Sequence, residues 1–185
     1  MTTALSLADA VLFLQSLAAN TSQPPLAATS VAVQLYRAQV NQWCAEGDSL
    51  IAMTMLRGEN APVVEGLDAV NITTHWSVDE VNARDSDPRY AALHRVWALY
   101  GQETESEMLA RLARNPLWQA LTEGGVIEKA AVLAAMQTLP AGTFVDVSRL
   151  EAAIASGFVE VPSGMTREAF QAWLGAEENQ KHDRG

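Results

Sequence analysis

Lysine is nearly missing from this chain: it occurs only as Lys129 and Lys181, beside ten arginines that stand singly. Recognition of a phosphate backbone needs clustered bases, so the expectation is no nucleic-acid partner. An anionic membrane surface is disfavoured for the same reason. The formal charge of −10 points the same way and suits a soluble acidic protein. Cysteine is rarer still. Cys44 is alone, which rules out an internal disulfide or a metal cluster built on cysteines. It follows Trp43 in an apolar stretch and reads as a buried thiol.

Long apolar runs are absent too, since no window reaches the ~18 residues a membrane-spanning helix needs. The segment Ala10-Val-Leu-Phe-Leu14 has no Lys or Arg before it and Asp9 interrupts it, so it does not read as a signal peptide. A cytoplasmic location is expected, which makes the sequons at Asn20 and Asn71 chance matches. The motifs of dinucleotide, phosphate, zinc-hydrolase and serine-hydrolase sites (GxGxxG, GK[ST], HExxH, GxSxG) are all missing. Asp79, Asp85 and Asp87 lack the dense acid pattern and turn glycine of a calcium loop. No cofactor, no metal and no catalytic residue are therefore expected.

Charge is also missing locally. Asp9 and Arg37 are the only charged side chains in residues 1–45. Helices without a charged face tend to be buried, and two readings follow. Later helices cover this segment within one core, or one of its faces packs against another chain, because interface cores are depleted of charge. The second reading makes Gln34, Leu35 and Gln42 candidate interaction residues and allows a homo-oligomer through the N-terminal helices.

What is present is a strong set of helix signals. Residues 5–19 read as a first helix with Ser6 or Thr3 near its cap, ended by Pro24-Pro25. A second runs from about Leu26 to Ala45. Asp48 to Arg57 reads as a third, with Leu50, Met53 and Leu56 inward at helical spacing. Val63-Val64 and the stretch 70–74 have β-type composition but are too short to require strands. Ser77-Val-Asp-Glu80 and Thr104-Glu-Ser-Glu107 are capping boxes. The hub is Asp87–Gly125: Asp87 caps, Pro88 occupies the first helical turn, and Tyr90, Leu93, Trp97 and Tyr100 form one stripe down to Gly101. Asn115-Pro116 restarts a helix that runs to the Gly124-Gly125 cap, and Val126 to Leu139 reads as another. Phe144-Val-Asp-Val147 and Phe158-Val-Glu-Val161 echo each other as short strands around a helix at 148–156, and Thr166 caps a last helix.

The fold class is thus mainly α: a compact multi-helix (orthogonal) bundle, with room for a small two-stranded β element near 143–161. Residues 1–176 read as a single domain and 177–185 as a flexible tail. The expected function is a non-enzymatic protein-interaction module: an adaptor, chaperone-like, regulatory or immunity-type partner protein. The alternatives are a structural subunit of a larger assembly, or a small hydrolase or transferase using His75 with Asp79 and Glu80. His75 and Trp76 are candidates because they sit in a loop, where binding groups concentrate. Trp76 also suits a hydrophobic staple before the Ser77 cap. His94 reads as a boundary histidine beside the aromatic stripe.

Overall fold

The computed structural model describes residues 3–45 and 48–138. The chain divides into two compact units, Met1–Thr143 and Phe144–Gly185, and the described residues belong to the first. The expectations for the 143–161 β element, the helices at 148–156 and after Thr166, and the tail lie outside the described residues.

The first unit is mainly helical, with two small two-stranded sheets. Strand β1 (Leu5–Ser6) leads directly into α1 (Leu7–Asn20). Ser6 caps α1, accepting a bond from the Asp9 amide at 3.1 Å. Helix α2 (Ala28–Ala45) follows, and it is the axis of the unit. From Ser30 to Val40 every residue except Arg37 is buried, because α1, α4, α5 and α7 pack around it. The scarcity of charge in this segment therefore has an internal cause. Nothing on α2 between those residues needs a solvated face, and burial of each Val or Leu there is worth roughly 1.5–3 kcal/mol.

The stretch 48–57 is not the expected helix. It forms β2 (Ile51–Ala52) and β3 (Met55–Arg57). β2 pairs in parallel with β1, Leu5 opposite Ile51, and the Ile51 amide is taken by the Gln39 side chain at 3.0 Å. β3 pairs antiparallel with β4 (Pro62–Val64), Met55 opposite Val64. On its other side β3 meets the chain after Thr122: Leu56 bridges Val126, and Ile127 donates to the Met55 carbonyl at 2.8 Å. Pairing with the next strand, β4, and with two distant segments, at Leu5 and at Val126–Ile127, outweighs a helical spacing that the apolar residues satisfy only locally.

Beyond Gly66 a single 3₁₀ turn spans Leu67–Ala69, and a coil leads to α3 (Val78–Arg84). Both capping boxes are formed, Ser77 with Glu80 and Thr104 with Glu107. Helix α4 (Pro88–Tyr100) is capped by Asp87, with Pro88 in its first turn, and lies across α1 and α2. It does stop at Gly101, but φ there is −64°, not left-handed. Glycine is needed because a Cβ would lie 2.5 Å from Cδ2 of the Trp97 ring. Helices α5 (Glu105–Ala113), α6 (Pro116–Ala120) and α7 (Lys129–Thr138) complete the described part.

Two boundaries shift from expectation. α6 ends before Gly124, whose φ of 74° serves a tight turn. That turn brings the Gly124 amide to the Arg57 carbonyl at 2.7 Å, so the glycine pair shapes a strand entry and does not cap the helix. α7 starts at Lys129, because Val126 and Ile127 are drawn into pairing with β3.

Candidate functional site

Three places gather side chains that could bind or react. The first is the loop singled out by sequence. His75 is exposed and makes no hydrogen bond or ion pair with any described residue. Asp79 and Glu80 are not assembled around it: Glu80 is committed to the Ser77 amide and hydroxyl, at 2.8 and 2.9 Å. The Ser77 amide, and then its hydroxyl, hold that carboxyl below its ordinary range. The structure therefore does not bring His75, Asp79 and Glu80 together as an acid–base group.

Trp76 is placed by α1. Ser16, buried on that helix, accepts from the Trp76 amide at 2.9 Å, and Asn20 donates to its carbonyl at 3.2 Å. The indole stands edge-on to Phe13 and Tyr90, with centroids 6.3 and 6.0 Å away. The Arg84 guanidinium covers its face at 3.5 Å. Burial pushes the Tyr90 phenol up, with the Asp9 carboxylate adding to the shift. Trp76 is thus a staple between α1, α3 and α4, and its ring face is already occupied by a cation.

The second place was not foreseen as a pair. Asp85, ending α3, meets His94 on α4 with Oδ2 2.7 Å from Nδ1. A carboxylate on Nδ1 fixes the imidazole tautomer, the arrangement general-base dyads use. It also ties the α3–α4 corner, and the His94 ring packs edge-on to Phe13 at 6.2 Å. Sequence offered no signal for this contact, since a spacing of nine residues across a helix break has no fixed geometry.

The third place is the outer face of the β3–β4 ribbon. Burial alternates along β4, where Val63 is exposed between buried Pro62 and Val64. On β3 Met55 is buried and Leu56 and Arg57 are half-buried; Ile127 is buried beside Met55. Val63 sits opposite Leu56, and Leu56 bridges Val126, so these three side chains form one row across the ribbon. Val63 is 52 % exposed and Val126 51 %. Among the described residues the only other large apolar side chain so exposed is Val78, alone on α3. The composition of Val63-Val64 hinted at a strand, but the row could not be read from sequence because its members come from three segments.

Gln34, Leu35 and Gln42 belong to none of these places. Gln34 and Leu35 are fully buried on α2, and Gln34 Nε2 donates to the Tyr100 carbonyl at 3.3 Å. They contact the chain's own helices, so neither can contact another chain in this fold. Gln42 is half-buried near the end of α2. The nearby charges are structural: Arg37 and Arg111 both bond the buried Glu103, at 2.8 and 2.6 Å. Arg57 lies over Trp118 at 4.5 Å and bonds the Gly58 and Glu59 carbonyls.

No family model, no curated protein and no solved structure matches this chain.

Proposed function

We propose that this protein is a non-enzymatic protein-interaction module whose contact face is the ribbon row Val63–Leu56–Val126. The observation that carries the reading is that, among the described residues, two of the three most exposed large apolar side chains share one strand register with a half-buried leucine between them. Single exposed valines are ordinary; an adjoining set marks a contact surface. The row replaces the N-terminal helices as the proposed surface, because α2 is covered from within. An adaptor, a regulatory partner and a subunit of a larger assembly would all use such a face. The cytoplasm is the proposed setting. Among the described residues, no helix is long and apolar enough to cross a membrane.

A photo-crosslinking residue placed at Val63 or Val126 in the intact protein tests this. A polypeptide adduct formed from both positions, and not from the exposed Gln119, supports the reading. Equal adducts from all three positions, or none, count against it.

A second reading, a small hydrolase or transferase, rests on Asp85–His94 in place of the His75 group. It requires His94→Gln to abolish a turnover that His75→Gln leaves intact. Corner-tying accounts for the pair without a substrate, so this reading ranks second.

A further inference from the structure

The chemistry of the partner follows from what surrounds the valine row. We infer that this face docks a polypeptide segment carrying apolar side chains flanked by lysine or arginine. The inference rests on the interaction-module reading above and adds the partner's charge. Register places the acids. Glu65 donates its amide to the Thr54 carbonyl at 3.1 Å, so the two lie opposite each other, one step along the pleat from Val63 and Leu56 on the same face. Glu128 follows Val126 by two residues, at the start of α7, and is exposed. Glu65 thus neighbours the row by register at the end of β4, and Glu128 follows its last member in the chain, where α7 begins.

Arg57, the ribbon's own base, does not neutralise Glu65, whereas Glu128 is followed directly by the exposed Lys129. The Arg57 side chain is only 13 % exposed, and its guanidinium is held by Trp118, Gly58 and Glu59, with Glu123 3.6 Å away. An apolar row beside exposed carboxylates attracts a segment whose apolar residues fill the row while its bases meet the acids. A second copy is a poor occupant. It would set Glu65 and Glu128 against like charges, on chains that each carry −10.

The test uses the full chain and three fluorescein-labelled peptides, KKVLVKK, EEVLVEE and KKSSSKK, followed by anisotropy at physiological salt. KKVLVKK should bind at least tenfold more tightly than the other two. Val63→Ser with Val126→Ser should weaken it at least tenfold. Glu65→Lys, alone and with Glu128→Lys, should shift preference toward EEVLVEE, with far-UV circular dichroism confirming an unchanged fold. Equal binding of KKSSSKK would mean diffuse attraction to an acidic protein and would overturn the inference. So would equal binding of EEVLVEE, or indifference to the valine changes. Sedimentation that depends on concentration and is lost in the valine variant would overturn it in favour of self-association. If KKVLVKK fails while the Val63 and Val126 crosslinks persist, the partner's charge is wrong and the contact face stands. If both fail, the face itself is discarded.

Discussion

Arg37 on α2 donates to the Glu103 carboxylate at 2.8 Å, with side chains 11 % and 1 % exposed. The only base in the first 45 residues is thus the partner of a nearly inaccessible acid, which Arg111 holds from the other side at 2.6 Å. Arg37 also lies over the Tyr100 ring at 4.1 Å. Glu103→Ala leaves Arg37 without its countercharge away from water. Denaturant unfolding should show a loss of about 3 kcal/mol or more. Arg111→Ala, at a more exposed position, should cost under about 1 kcal/mol. Equal losses for the two would show that burial does not set the strength of this link.

Gly101 makes a separable prediction. Its φ suits any residue, so Gly101→Ala should act through crowding against the Trp97 ring and the Trp97 carbonyl, 2.5 and 2.6 Å from a Cβ, and cost about 1–3 kcal/mol. Adding Trp97→Leu should relieve the ring's share of that cost and leave the share of the Trp97 carbonyl, which the side-chain change does not remove. At Gly124 the reverse holds: nothing crowds a Cβ, but φ is 74°, so Gly124→Ala should cost roughly 1 kcal/mol and Gly124→Asn less.

The loop before α3 separates two adjacent residues. His75→Ala should change stability by less than about 0.5 kcal/mol, as for an exposed side chain without a partner. Trp76→Ala removes the contacts with Phe13, Tyr90 and Arg84 and should cost about 2 kcal/mol or more. Thermal melts of the two variants decide this. Similar shifts would mean that the loop is not pinned to α1.

Acid should loosen the helix starts. Glu80 is held below its ordinary range by the Ser77 amide and hydroxyl, and Asp87 by the Arg89 guanidinium. For a carboxyl lowered on folding, the stability it contributes is complete above its unfolded value. It is lost as pH falls through the folded one. Melting temperature should therefore hold from pH 7 to about 5 and fall below about 4, where unfolded carboxyls take up protons. Glu80→Gln with Asp87→Asn should shallow that fall. An unchanged slope would assign acid sensitivity to other groups.

Local signals were legible where they complete themselves within one turn. Ser77 with Glu80, Thr104 with Glu107, Asp87 with Pro88, and Ser6 before α1 all cap as their spacing implies. Leu50, Met53 and Leu56 misled, because their spacing fits a helix while Leu5, Gln39, Val64 and Val126 supply strand partners that no local pattern shows. The charge-poor N-terminus was correctly conspicuous, yet its cover comes from α4, α5 and α7, far along the chain. The contact row was the least legible feature. Each valine alone is unremarkable, and only the register of three segments makes them neighbours.

The central place of α2 has a consequence for how the chain is made. Glu103 follows Arg37 by 66 residues. At synthesis rates of roughly 5–20 residues per second, α2 waits on the order of 3–13 s for the acid that pairs with its only base, and longer for α5 and α7 to close over it. During that interval its apolar faces are presented to whatever surrounds the ribosome. A nascent chain halted between α2 and α4 should therefore be the form that holdase chaperones grip most firmly, with release once α7, ending at Thr138, has emerged.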